Sequence, residues 1–133
     1  MVVRYAKSYI DRLYDTKDIF ALNGVIEVVG RHRQLPEQFS LFLRLWNWRC
    51  STRSGIWQYY EGVPAAEFES MAGALERFGL HELADRYRSG TTTWKEPHCC
   101  RELDRWIDDH DRELEATAFQ LIADSRACLY DES

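Results

Sequence analysis

His98, Cys99, Cys100 and His110 are of the types that ligate zinc. Zinc sites usually space paired cysteines two to four residues apart so that both thiolates converge on one ion, and the adjacent pair Cys99-Cys100 does not meet that requirement. Buried small thiols and a half-buried histidine are the expected state, with no metal and no cofactor. Nucleophilic catalysis would need Cys50, Ser51 or Ser54 activated by His32 or His81, yet no nucleophile elbow surrounds them. A paired-carboxylate hydrolase would use Glu61 with Glu67 or Glu69, because acids near aromatic rings have raised pKa values and the rings can stack on sugars. Nothing in the spacing favours it, and without a converging acid, base and nucleophile the chain is read as no enzyme.

A different pattern lies in the C-terminal third. Asp104, Asp108, Asp111 and Glu115 recur at spacings of four, three and four, which places them on one face of a helix. Neighbouring carboxylates about 5 to 6 Å apart along such a stripe approach the phosphate spacing of one DNA strand, so a basic DNA-binding surface could accept them. The same acids also suit the solvated face of a surface helix, since Arg101, Arg105 and Arg112 project from the adjacent strip. Both readings stand at this point.

The elements that would carry these residues are helical. Tyr5, Tyr9 and Leu13, with Ile10 and Tyr14 beside them, suit one face of a first helix. Asp18 to His32 holds Val25, Ile26, Val28 and Val29 between Gly24 and Gly30. β-Branching there suits a strand, but a lone strand has no partner elsewhere in the chain, and helix is preferred. Pro36-Glu37 opens a helix that is apolar nearly all round from Phe39 to Trp48, the mark of a helix buried on most sides. Ser51 to Gly55 interrupts it before Ile56, Trp57, Tyr59 and Tyr60.

Val63-Pro64 opens a further helix with Phe68, Met71, Ala72, Leu75 and Phe78 on one face, stopped at Gly79. A shorter helix through Leu83, Ala84 and Tyr87 is expected to close at Gly90, with Thr91 to Pro97 as a linker. Cys99 to Leu129 reads as one long C-terminal helix, kinked near Asp109. The expectation is an all-α chain of five or six helices over residues 1–133, folded as a single compact domain with a buried central helix.

Composition agrees with a globular chain. Of 133 residues, 45% are apolar and 14% aromatic, with seven Gly and three Pro, well above the apolar content of a disordered segment. No apolar run approaches the ~18 residues of a membrane span, and Met1 to Ile10 has no signal-like apolar core, so a cytoplasmic location and four reduced cysteines are expected. The net charge is -5, with ten carboxylates against four arginines from His98 onward. That balance opposes direct nucleic-acid binding and favours a protein partner with a basic surface; self-association as a homodimer is left open.

Two runs carry a family resemblance: Arg53-Ser54-Gly55-Ile56-Trp57-Gln58-Tyr59-Tyr60, then Met71-Ala72-Gly73-Ala74-Leu75-Glu76-Arg77-Phe78-Gly79. A glycine turn, an apolar-x-Gln-Tyr-aromatic segment and an Ala-Leu-x-x-x-Gly helix, in that order, resemble the bacterial DNA-mimic protein domain family, most of whose members have unknown function. Leu103-Asp104-Arg105-Trp106 echoes the opening of that family's final helix, so the likeness spans roughly Leu35 to Ala127. The chain departs from the pattern at Arg53-Ser54-Gly55, where the family has an Asn-Gly-Gly-type turn, and at Glu61, where it has Asn. The resemblance implies an all-helical fold and, by analogy, an acidic surface that competes with DNA for a DNA-binding protein. An immunity or antitoxin-type protein that blocks a toxin is the alternative reading.

Within the first run, Gly55 suits a position of positive φ or close backbone approach, and Trp57 and Tyr60, three apart, share a helical face directed at the core. Gln58 either bonds nearby backbone or faces a groove that a partner fills. Gln58, Glu61, Trp57 and Tyr60 are thus the candidate groove residues.

Overall fold

The structure is a computed structural model in which residues 4–131 are described. Among those residues there are eight α-helices: α1 Lys7–Asp15, α2 Ile19–His32, α3 Glu37–Cys50, α4 Trp57–Gly62, α5 Ala65–Arg77, α6 His81–Thr93, α7 Pro97–Asp109 and α8 Asp111–Ile122. Single 3-10 turns cover Ser51–Arg53 and Arg126–Leu129, and no strand occurs among the described residues. The chain is all-helical as expected, with eight helices in place of five or six. None of them is long and apolar enough to cross a membrane.

The extra helices come from breaks that apolar periodicity does not report. The expected C-terminal helix is two, α7 and α8, parted at His110. There the His110 Nδ1–H donates to the Trp106 carbonyl at 2.7 Å and the imidazole stacks on the Trp106 ring at 4.2 Å, so side chain and backbone close α7 together. Asp111 and Glu113 then occupy the first turn of α8, where carboxylates favour the positive end of the helix.

Contacts divide the chain into two compact units, one formed by Met1–Leu43 with Glu115–Ser133 and the other by Arg44–Leu114. In the first, Val25 to Val29 is helical and buries Val25, Ile26 and Val29. Asp18 caps this helix by accepting the Ala21 N–H at 3.1 Å. The apolar face of α1 is Ile10, Leu13 and Tyr14, whereas Tyr5 precedes the helix and stacks on Tyr9 at its edge. The C-terminal turn is tied to α1 by the Tyr130 hydroxyl and the Arg126 guanidinium, both of which donate to Asp11.

The second unit holds the aromatic segment. α3 buries Leu45, Trp46 and Trp48 here and Phe39, Leu41 and Phe42 in the first unit, each exposing 5% or less, while Ser40 and Asn47 are exposed. α5 ends as expected at Gly79, whose φ of +77° lets the Leu80 N–H reach back to the Leu75 carbonyl at 2.8 Å. Phe78, expected on the apolar face, lies past the last helical residue and is exposed.

Gly90 does not close α6. The helix continues to Thr93, and the Thr91 and Thr93 hydroxyls donate to the Arg88 and Ser89 carbonyls at 2.6 Å each, so only Trp94 to Glu96 links α6 to α7. Gly90 is instead buried where the Tyr60 ring lies against the helix backbone. The Tyr60 hydroxyl accepts from Trp48 Nε1–H at 3.0 Å and donates to the Tyr87 carbonyl at 2.8 Å, joining α3, α4 and α6.

Candidate functional site

Asp104, Asp108, Asp111 and Glu115 do not form one continuous stripe on one helix. Asp104 and Asp108 belong to α7 and Asp111 opens α8, beyond the break, while Glu115 lies in the other compact unit. Asp104 accepts the Ile56 N–H at 2.8 Å, so its carboxylate caps the short helix α4 from a neighbouring element. Asp111 accepts from Arg49 Nη2 at 2.7 Å, and the same guanidinium lies over the Trp46 ring at 4.3 Å. Asp108 is exposed. Two of the four carboxylates are thus engaged inside the second unit, a use that helical spacing alone does not reveal.

The Asp104 carboxyl is pushed above the ordinary aspartate value of 3.8, first by burial and also by Asp108, with the Ile56 N–H opposing the shift. A carboxyl raised in the folded state contributes stability below its ordinary value, and that contribution is lost as pH rises through the raised value. Asp104→Asn should therefore leave stability at pH 7 unchanged or higher, because the amide oxygen still accepts the Ile56 N–H. Asp104→Ala strands that N–H and should lower stability by about 1–2 kcal/mol. Urea denaturation at pH 4 and pH 7 measures both; equal losses in the two variants at pH 7 that shrink at pH 4 would show that the charge itself holds α4.

The candidate groove residues are separated. Tyr60 is 2% exposed and Trp57 41%, although they are three apart, because α4 has only six residues and packs Tyr59 and Tyr60 inward. Gln58 lines one groove of about 350 Å³ with Asn47, Ser51, Ser54 and Val63. Trp57 lines another, an apolar cleft of about 540 Å³ shared with Trp94, Lys95, Pro97 and Cys100. Glu61 is exposed and lines neither of the two. Trp94 and Lys95, read as linker in the sequence, are the residues that periodicity passes over; a tryptophan between two helices is the signal that marks them.

The residues with metal-ligand chemistry are dispersed on local partners. His98 pairs with Glu102 at 3.0 Å, the Cys100 thiol donates to the Trp94 carbonyl at 2.9 Å, and His110 is held by Trp106. Among the described residues, no group of three or more His, Cys, Asp or Glu is placed to hold a metal ion. Burial, the nearby Asp104 charge and Cys99 push the Cys100 thiol up, which opposes thiolate reactivity. The Ser51 hydroxyl donates to the Asn47 carbonyl at 2.7 Å and serves the end of α3.

Comparison with protein-family models, curated protein sequences and solved structures returns no match.

Proposed function

We propose that the chain is a non-enzymatic protein-interaction domain whose acidic surface on α7 and the first turn of α8 meets a basic partner protein. The observation that carries this reading is the exposure of Glu102, Asp108, Asp109 and Glu113 on those helices, after Asp104 and Asp111 have been taken up by internal contacts. Arg101, Arg105 and Arg112 are exposed on the same helices, so the field is mixed and of short reach. This supports a salt-sensitive protein contact; DNA mimicry is its narrower form, in which duplex DNA and this chain compete for one basic surface.

The test is affinity capture from the native cell with the full chain and with the triple variant Asp108→Asn, Asp109→Asn, Glu113→Gln. A basic protein should be captured by the parent, released by about 0.3 M salt, where the Debye length falls to ~6 Å, and missed by the variant. Displacement by duplex DNA would establish mimicry. Equal capture by the charge-neutral variant would overturn the acidic surface as the contact.

A further inference from the structure

We infer that the cleft walled by Trp57, Trp94 and Pro97 is a binding site for a small aromatic carboxylate. Its volume of about 540 Å³ lies within the span of ordinary ligand pockets, and indole, pyrrolidine and thiol groups make up most of its lining.

The Trp57 indole, 41% exposed, packs back on its own chain. The indole lies against Gly55, where an added Cβ would fall 2.7 Å from both Cδ1 and Nε1, and Gly55 has φ +97°, a conformation that other residues rarely adopt. Part of a large apolar ring is left in solvent, at a hydrophobic cost that covering it would remove. Hydrogen bonds tie down the α7 side of the cleft. The Cys100 thiol ties the first turn of α7 to the end of α6 through the Trp94 carbonyl, and Asp104 ties α7 to the start of α4 through the Ile56 N–H. The two indoles and Pro97 are therefore seated on elements joined by hydrogen bonds, which lowers the ordering needed to receive a flat ring.

Charge selects the other half of the ligand. The charged residue lining the cleft is Lys95, with Nζ 5.3 Å from the Trp94 ring centroid, and no carboxylate lines it among the described residues. A carboxylate on an aromatic ring seated in the cleft would pair with that ammonium. An extended peptide that adds a strand is a poorer occupant, since α4, α6 and α7 offer no sheet edge to its backbone.

The experiment follows the indole N–H resonances of the ¹⁵N-labelled full chain during titration with 3-phenylpropionate, its neutral amide, and the tripeptide Ala-Ala-Phe. Trp57→Phe and Trp94→Phe assign the two relevant signals. Saturable movement of Trp57 and Trp94 is expected, with the acid binding about threefold more tightly than the amide, the scale of one exposed ion pair. Lys95→Gln should bring the acid down to the amide and leave the amide unchanged; Lys95 is exposed, so this variant keeps the fold. No saturable movement, equal binding of acid and amide, or equal weakening of both by Lys95→Gln would overturn the proposal. So would a tripeptide about tenfold tighter than 3-phenylpropionate, which would make the occupant a partner's chain terminus.

Discussion

Gly90→Ala is expected to destabilise the protein by about 3 kcal/mol or more, although glycine to alanine inside a helix ordinarily stabilises by about 1 kcal/mol. The reason is the Tyr60 ring: a Cβ at position 90 would fall 2.3 Å from its Cζ and Oη and 2.4 Å from Cε2. The ring has little room to swing aside, because its hydroxyl is fixed between the Trp48 indole and the Tyr87 carbonyl and it packs against the Tyr59, Phe68 and Tyr87 rings. Gly24 and Gly30 of α2 are the internal control, since a Cβ there meets nothing within 4 Å. Alanine at either should raise stability by about 0.5–1 kcal/mol. Urea denaturation of the three variants gives the comparison. A stabilised Gly90→Ala would show that Tyr60 does not lie on α6. In a Tyr60→Ala background the penalty of Gly90→Ala should largely vanish, a coupling that a double-mutant cycle reads directly.

Tyr60→Phe is expected to lower stability by about 2–3 kcal/mol, the scale of leaving a buried donor unpaired. The phenyl ring fills the same space, so packing is preserved and the loss falls on the hydroxyl. Trp48 Nε1–H, on a side chain fully buried in α3, then has no acceptor. The Tyr87 carbonyl loses a donor but lies inside α6, whose own ladder still serves it. Burial pushes the Tyr60 phenol far above its ordinary value, so the hydroxyl remains a neutral donor through the accessible pH range and the loss should not vary between pH 6 and pH 9. Thermal unfolding should show a drop of about 6–12 °C for a chain of this size. A loss below about 0.5 kcal/mol would mean that the Trp48 indole finds another acceptor.

These two sites also show where periodicity stops. Gly90 reads in the sequence as a helix stop, as Gly79 does, because glycine is frequent at both kinds of position. Only at Gly79 does the chain take positive φ; at Gly90 the helix runs on and the missing side chain admits a ring from α4. Nothing near position 90 in the chain announces a residue thirty positions earlier. Asp104 follows the same logic, since its spacing from Asp108 and Asp111 describes a helix face, whereas the Ile56 N–H that it accepts is supplied by a distant turn.

The amino-acid sequence by itself determined the helical class, the apolar run from Phe39 to Trp48, the stop at Gly79 and the need for glycine at Gly55, and it favoured helix over strand at Val25 to Val29. Each of these depends on local causes: apolar period, the lack of a pairing strand, and the steric freedom of glycine. The tertiary structure decided the break at His110, the inward turn of Asp104, the parting of Trp57 from Tyr60, and the joining of Trp57 to Trp94, Lys95 and Pro97 in one cleft. Those outcomes depend on which distant backbone amide, ring or carbonyl arrives beside each side chain, and a helical face does not encode that arrival.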